Sequence, residues 1–506
     1  MNIVLSVKES RRLDEIAVEN GYSIRSLIAS SGRKIFEHIM ASDYADKSIL
    51  FVCGKGHNGA DQIAAANELY ATGKRDIAIF VPEGVRDSLS AETAYFYGNT
   101  PVCVIKEIGD FDVYFDGLLG TGFSGEVEGE FRDVICALNE KGEQGARVIS
   151  TDIPSGINGD SGKVCGVGVI ADETLALAAL KPGFYLNDAP DHCGKITLLD
   201  IGIDKNIYAQ VKTFAEIIDK TTAKNLLPKR NINSYKGSSG YLYMLSGSFS
   251  MMGAAITAGI SAYRAGAGLV KIATKRGIIP HINCAFYDAV YDPLEADSYN
   301  NLTEENIDKV LSSTKGFDAA LIGPGLSLQK CEENIICDIM RNINIPIIVD
   351  ASALTVIAKN NAEDILNKRT AETILTPHAG EMARLLGMSI EECENNRVLT
   401  AKIAARRFNA TVVYKGGRAI IATPSGDIYF NPTGNGALAV AGSGDMLAGI
   451  IGGLLAGGLS PLNSALLSCF IGGTASEEFS KKYPEISSTA SALTDFIGKA
   501  IMKLSE

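Results

Sequence analysis

The sequence predicts an α/β protein built as two three-layer α/β/α domains. Three observations carry that expectation. At 506 residues the chain exceeds what one ordinary hydrophobic core supports. Short apolar runs alternate with amphipathic segments, the pattern of a parallel sheet covered by helices on both faces. The alternation pauses at a polar, turn-rich stretch over residues 213–236 and then restarts. The boundary is expected near Ile218, giving domains over residues 1–218 and 219–506.

Composition narrows the class. Hydrophobic residues at 46%, 52 glycines and no Trp fit a soluble α/β protein rich in tight turns. Ten scattered cysteines without a C-x-x-C pair, and five histidines without ligand spacing, favour reduced thiols over disulfides or zinc. The net charge of −12 falls on the first 218 residues, with 20 Lys+Arg against 32 Asp+Glu; the remainder carries 27 of each. No basic stripe appears, so nucleic acid is not an expected partner. The first residues lack the apolar core of a signal peptide. The longest apolar run, residues 446–459, is too short to cross a bilayer. A cytoplasmic protein with no membrane partner is the expectation.

Residues 5–41 read as two helices broken around Asn20-Gly21. The runs SILFVC, DIAIFV, FDVYFDG and ARVIST follow as strands, with a helix over residues 60–71 after the first. Ligands of such sheets bind beyond the carboxyl ends of the strands, and polar residues gather there. His57, Asn58, Gly59, Ala60 and Asp61 follow the first strand, after Gly54-Lys55-Gly56. Asp116, Gly120, Thr121 and Gly122 follow FDVYF, and Asp152-Ile153-Pro154-Ser155 follows ARVIST. One such segment is ordinarily only a turn. Three on successive strand ends, each with a carboxylate or Asn, point to a site. Glycines let backbone approach a phosphate, Asn58, Asp116 and Ser155 offer oxygens to a hard cation, and Asp152 is a proton-transfer candidate.

The second rhythm runs GYLYMLSGS, a helix over residues 252–267, LVKIAT, DAALIGPG, IPIIVDA, TILTPHAGE and ATVVYKGG. Its strand ends carry Gly323-Pro324-Gly325, Asp350, His378 with Glu381, and Lys415-Gly416-Gly417-Arg418-Ala419. Bland readings exist for each: Asp350 as a helix cap, His378 as a hydrogen-bonded turn residue, Lys415 as a solvated cation. Gly442-Ser443-Gly444 then lead to Asp445 and an apolar helix. Such glycines can turn N–H groups toward one point, and a helix start adds unpaired N–H groups and its dipole. The result is an anion hole beside a candidate general base, as phosphoryl transfer requires. The alternative is a helix capped by Asp.

With these motifs in hand, the chain resembles the bifunctional NAD(P)H-hydrate repair family over essentially its full length. The first half is similar to YjeF N-terminal epimerase domains, which are Rossmann-like. The second is similar to the ribokinase-like ADP-dependent (S)-NAD(P)H-hydrate dehydratases. The second likeness rests on Lys236-Gly237, Ser246-Gly247-Ser248, Met252-Gly253-Ala254, Gly266-Ala267-Gly268-Leu269-Val270, Ile322-Gly323-Pro324-Gly325, Thr376 to Glu381 and Gly442-Ser443-Gly444-Asp445, in order and spacing.

The resemblance implies phosphorylation of the C6 hydroxyl of the S hydrate by ADP, followed by loss of phosphate to restore NADH or NADPH. It implies Asp445 as the base and Ala254, Gly325 and His378 as contacts to the hydrated dinucleotide. Lys415, Gly416, Gly417, Arg418, Ala419 and Gly444 would contact the adenine nucleotide, with Mg²⁺ on its phosphates. In the first half it implies epimerisation with Asp152 as acid/base and K⁺ on Asn58, Asp116 and Ser155. There His57 to Asp61, together with Gly120, Thr121, Gly122, Phe123, Ser124, Gly125 and Glu126, would hold the substrate. A homo-oligomer is also implied. Two departures stand out. The family turn Asn-Asn-Gly-Gly-Asp-Gly appears here as His57-Asn58-Gly59-Ala60-Asp61-Gln62, where Ala60 and Gln62 add side chains where backbone is expected to lie against the ligand, and either is expected to need positive φ. Its Met-Glu-Arg-Ala-Gly appears as Ile28-Ala29-Ser30-Ser31-Gly32. A vestigial or scaffolding first half, and a kinase for a small alcohol, are the rival readings. A dehydrogenase is set aside, because no G-x-G-x-x-G with a following acid succeeds a strand.

Overall fold

A computed structural model describes residues 2–123, 125–233, 235–327 and 329–506; Ser124 and the side chain of Lys236 lie outside the described residues. The chain divides into two compact units, Asn2–Glu216 and Ile217–Glu506.

In the first unit seven strands pair: β1 (Ile49–Cys53), β2 (Ile77–Phe80), β3 (Cys103–Ile105), β4 (Val113–Gly117), β5 (Arg147–Thr151), β6 (Glu173–Leu177) and β7 (Lys195–Leu199). They lie in the order β3-β2-β1-β4-β5-β6-β7, all parallel. Side chains alternate between sheet faces, so one chain feeds two cores. Phe51, Phe115 and Ile149 join Leu13, Ile35 and Ile63 from helices on one side. Leu50, Val52, Tyr114 and Val148 join Val134, Ile135 and Leu138 from helix Gly129–Glu143 on the other. This is the expected three-layer arrangement. Strand order reverses between β1 and β4, and at such a switch point the outgoing loops part and leave a crevice.

The second unit contributes β8 (Tyr241–Leu245), β9 (Leu269–Lys275), β10 (Val290–Leu294), β11 (Ala319–Ile322), β12 (Ile347–Val349), β13 (Thr373–Leu375), β14 (Thr411–Tyr414), β15 (Ile420–Ala422) and β16 (Ile428–Phe430). Their order is β16-β15-β14-β13-β12-β11-β8-β9-β10. Neighbours from β13 through β10 and from β13 to β14 are parallel, whereas β14-β15 and β15-β16 are antiparallel. The purely βα rhythm read from sequence therefore ends at β14. Residues 415–419 are too few for a crossover helix, so the chain turns straight back.

Helix Ser443–Ala456 packs on helix Met252–Arg264 through small residues. A side chain at Gly449 or Gly453 would strike the carbonyls of Ala258 or Ala262, 2.1 and 2.4 Å away. That contact fixes where the helix start, and hence Asp445, meets the strand ends.

Candidate active sites

In the second unit, helix Ser443–Ala456 starts at Gly442, whose φ of 91° belongs to the left-handed region that glycine tolerates. Asp445 stands in the first helical turn rather than at the cap, so its carboxylate is not spent on closing the helix. Burial and the neighbouring Asp350 push its carboxyl up to about 6, against the pull of Lys415. A carboxyl in that range is a base at neutral pH that can still take a proton.

Asp350 does not cap a helix. It is buried and accepts from Thr376 Oγ1 at 2.7 Å and from Lys415 Nζ at 2.8 Å. Lys415 is likewise not a solvated strand-end cation. Its ammonium also lies 3.9 Å from Glu381, and the position of a side chain on Gly444 would be 3.2 Å from it. Burial works against its charge, but Asp350, Glu381 and Asp445 more than offset this and raise it above its ordinary value. A fixed ammonium therefore stands at a helix N-terminus, where anions are favoured.

His378 caps helix Ala379–Leu386: Nδ1 accepts from Gly380 N at 3.0 Å and Glu381 N at 3.4 Å. Partial burial with Lys415 and Arg384 holds the imidazole below its ordinary range, so it is neutral at pH 7 with its proton on Nε2. The turn-residue reading thus holds, and the ring also stays partly open to solvent. Gly325 (φ 65°) abuts Ala254, whose Cβ would lie 3.0 Å from a side chain there. Gly416 faces the Arg397 guanidinium, which donates to Lys415 O at 3.1 Å, and Arg418 donates to Gly434 O at 2.8 Å. The structure thus groups Asp445, Gly444, Lys415, Asp350, Glu381 and His378 into one charged cluster, with Gly325 and Ala254 as a separate apposed pair.

In the first unit, Asp116, next to last in β4, is fully buried. Ser150 Oγ and Ser155 N donate to one oxygen at 2.8 Å each; Ser155 Oγ at 2.5 Å and Leu118 N at 3.2 Å donate to the other. Asn58 Nδ2 bonds the carbonyls of Leu119 and Thr151, both at 3.1 Å, which leaves its buried Oδ1 without a partner. Asp152 follows β5 with φ 65°, a strained conformation for a residue with a side chain. The buried Lys181 ammonium ion-pairs with it and also bonds Leu177 O at 3.2 Å. Asp61 is buried on helix His57–Ala71; burial and then the charges of Asp152 and Asp14 raise its carboxyl well above the ordinary range. Thr121, Gly122, Phe123, Gly125 and Glu126 form the turn after β4, with Phe123 N bonded to Gly120 O at 3.0 Å.

The expectation for Ala60 and Gln62 is corrected. Neither has positive φ, because the helix begins at His57, three residues before Ala60. Ala60 is buried against Ile28 and Ala64, so its side chain serves packing. Gln62 is buried and donates to Thr151 Oγ1 at 2.9 Å. Sequence reading missed Lys181. The signal for Lys181 was an ionisable residue in Lys181-Pro182-Gly183 directly after the apolar run ETLALAAL.

A family model described as NAD(P)H-hydrate dehydratase matches residues 242–499, and one described as YjeF-related protein N-terminus matches residues 25–183. The bifunctional NAD(P)H-hydrate repair enzyme of Thermofilum pendens is 32% identical, over 99% of this chain and 97% of that protein. The chain belongs to the bifunctional NAD(P)H-hydrate repair enzymes. The Moorella thermoacetica enzyme of the same description is 30% identical, again over 99% and 97%. For the dehydratase half of this repair enzyme there is also a structural likeness. The ADP/ATP-dependent NAD(P)H-hydrate dehydratase of Bacillus subtilis, co-crystallised with ATP and Mg²⁺, matches with TM-score 0.51 and 31% identity. It covers 58% of this chain and 100% of that one.

Proposed function

We propose that the two units run successive steps of nicotinamide nucleotide repair: the first equilibrates the R and S hydrates, and the second returns the S hydrate to NAD(P)H at the expense of ADP. The observation that carries the reading is Asp445, a carboxyl raised to about 6 in the first turn of a helix beside the Lys415 ammonium.

In the second unit Asp445 takes the proton of the C6 hydroxyl as that oxygen attacks the terminal phosphorus of ADP. AMP leaves, and the helix-start amides at Gly442–Gly444 with Lys415 stabilise charge on the transferring group. The ring nitrogen's lone pair then expels phosphate, and loss of a proton from C5 restores the C5=C6 double bond. Ala254, Gly325 and neutral His378 orient the hydrated dinucleotide, while Lys415 to Ala419 and Gly444 hold the nucleotide. Asp350 and Glu381 already face Lys415, and among the described residues no three His, Cys, Asp or Glu side chains cluster as a metal site. Mg²⁺ would therefore ride chiefly on the phosphates, where it supplies charge neutralisation.

In the first unit the Asn58 amide and the Ser155 hydroxyl meet at the Leu119 carbonyl, and the unpartnered Asn58 Oδ1 with Asp116 and Ser155 supplies the oxygen-only chemistry that K⁺ takes. That ion would help seat the substrate's oxygens. Asp152 handles the proton: it protonates the leaving C6 hydroxyl as the N1 lone pair forms an N1=C6 iminium. Water then adds at the opposite face and returns the proton. His57, Gly59, Asp61 and the turn from Gly120 to Glu126, Ser124 included, would hold the dinucleotide. Among the described residues no helix is long and apolar enough to cross a membrane. A cytoplasmic homo-oligomer belongs to the same reading, and light scattering tests the assembly.

The test is recovery of absorbance at 340 nm from an R/S mixture of NADH hydrate with ADP and Mg²⁺. Complete early recovery that Asp445→Asn abolishes and Asp152→Asn limits to the S fraction supports the reading. Recovery of the S fraction by the native chain leaves only the dehydratase. No recovery with ADP or ATP overturns the reading in favour of a small-alcohol kinase.

A further inference from the structure

Asp152 holds a left-handed φ of 65°, a conformation that persists in a residue with a side chain only where its surroundings over-determine it. Its carboxylate is held by the Lys181 ammonium, and its N–H donates to Leu175 O on β6 at 2.8 Å. The remaining restraint falls on Thr151, the last residue of β5. Thr151 O accepts from Ile153 N at 2.8 Å and from Asn58 Nδ2 at 3.1 Å. Thr151 Oγ1 accepts from Gln62 Nε2 at 2.9 Å.

Asn58 and Gln62 stand four residues apart on helix His57–Ala71, so their amides leave one face of it and converge on the residue before Asp152. Asn58 has a second task in its unpaired oxygen, which suits the cation. Gln62 has no such task. It is fully buried, and its Oε1 has no hydrogen-bond partner among the described residues. A buried carbonyl oxygen left unpaired costs stability, and an apolar side chain of the same length avoids that cost. Packing alone therefore does not call for a glutamine here. Room for it comes from Gly117 at the end of β4, where a side chain would lie 2.5 Å from Gln62 Cγ and 2.8 Å from its Nε2. What the amide supplies is the N–H that pins Thr151.

We infer that Gln62 is a positioning residue of the epimerase site. By holding the Thr151 hydroxyl it fixes the strand end that carries Asp152, and so keeps that carboxylate aimed at the C6 hydroxyl of the hydrate. The departure from the family turn at Gln62 thus supports the acid/base group instead of obstructing the ligand. This inference rests on the epimerase reading of the first unit.

The test follows conversion of isolated R hydrate of NADH to the S hydrate by chromatography, with the full chain in potassium buffer, no nucleotide and an enzyme-free blank. Gln62→Met keeps the length of the side chain and removes the donor. It should lower kcat about tenfold and leave KM within about twofold, because the reacting group is misplaced while the binding turns are not. Thr151→Val removes the acceptor of the same bond and should cost as much. The double variant should then lose no more than either single one. The melting temperature of Gln62→Met should equal or exceed the native value, since the unpaired oxygen is gone, and turnover of S hydrate with ADP should be unchanged. Gln62→Leu takes its place should Gln62→Met fail to fold. Native kcat in either single variant, losses that multiply in the double variant, or a kcat loss that comes with a lower melting temperature makes Gln62 a packing residue and overturns this inference alone. A native chain that does not equilibrate the epimers overturns the epimerase reading and this inference together.

Discussion

Lys415 Nζ lies 2.8 Å from Asp350 Oδ1, joining the end of β14 to the end of β12 across the mouth of the second-unit site. Asp350 is 1% exposed, so its charge depends on this partner and on Thr376. Asp350→Ala leaves an enclosed ammonium whose remaining ion pair among the described residues is Glu381 at 3.9 Å, with Asp445 acting at longer range. The expected loss is about 3 kcal/mol in urea denaturation of the full chain. Asp350→Asn, which keeps an acceptor, should cost about half as much. Equal losses for the two would show that the charge does not matter.

Asp445 governs a pH dependence of activity. As the base it must be ionised, so dehydratase kcat/KM should rise through about pH 6 and level off above it. The same raised carboxyl has the opposite sign for stability. A folded-state value above the unfolded one means stability falls as pH rises from about 4 to 6. Asp445→Asn should therefore abolish turnover yet stabilise the fold at pH 7, by about 1 kcal/mol after allowance for partial exposure. The gain should vanish near pH 4. Melting curves at pH 7 and pH 4 decide it; destabilisation at both would mean Asp445 is structural.

Much of this was legible in the sequence because the strands are apolar throughout and the site residues follow them directly. Phe51 and Phe115 announce the core, and Asp116, Asp152, Asp350 and Asp445 stand where the apolar runs stop or the apolar helix Ser443–Ala456 starts. The short strands Cys103–Ile105 and Ile428–Phe430 were not legible, since three residues carry no period. The antiparallel turn-back after β14 depended on loop length rather than on pattern. Lys181 stayed hidden because its role depends on Asp152, a side chain brought to it from a distant segment.

Ala60 shows how a family motif can mislead about mechanics. In the helix His57–Ala71 its methyl packs on Ile28 and Ala64, so restoring glycine should not improve the site. Ala60→Gly is expected to lose about 1–2 kcal/mol from helix propensity and packing, with epimerase KM unchanged. Lower KM with intact stability would revive the view that Ala60 obstructs the ligand. The matching change on the opposite helix is Gly32→Ala. Its new Cβ would stand 2.5 Å from Ala64 Cβ and 2.9 Å from the Ala64 backbone, forcing the helices apart. A loss of about 1–3 kcal/mol is expected in thermal melts.

Acid stability of the first unit should turn on Glu173, which starts β6 in the sheet interior with its side chain 5% exposed. Burial opposes its charge. The His38 imidazole 3.4 Å away, the hydrogen bond from Thr197 (2.6 Å) and the charge of Lys195 more than offset this and hold its carboxyl down at about 2. A carboxyl lowered on folding contributes stability that is complete above its unfolded value of about 4.5 and is lost as pH falls toward 2. Glu173→Gln keeps the shape and removes the charge, so it should cost about 2 kcal/mol at pH 7 and almost nothing near pH 2. Denaturation of both proteins across pH 2 to 7 should therefore give stability curves that converge on the acid side. Curves that run parallel to pH 2 would mean that the carboxylate charge contributes nothing and that packing alone places Glu173.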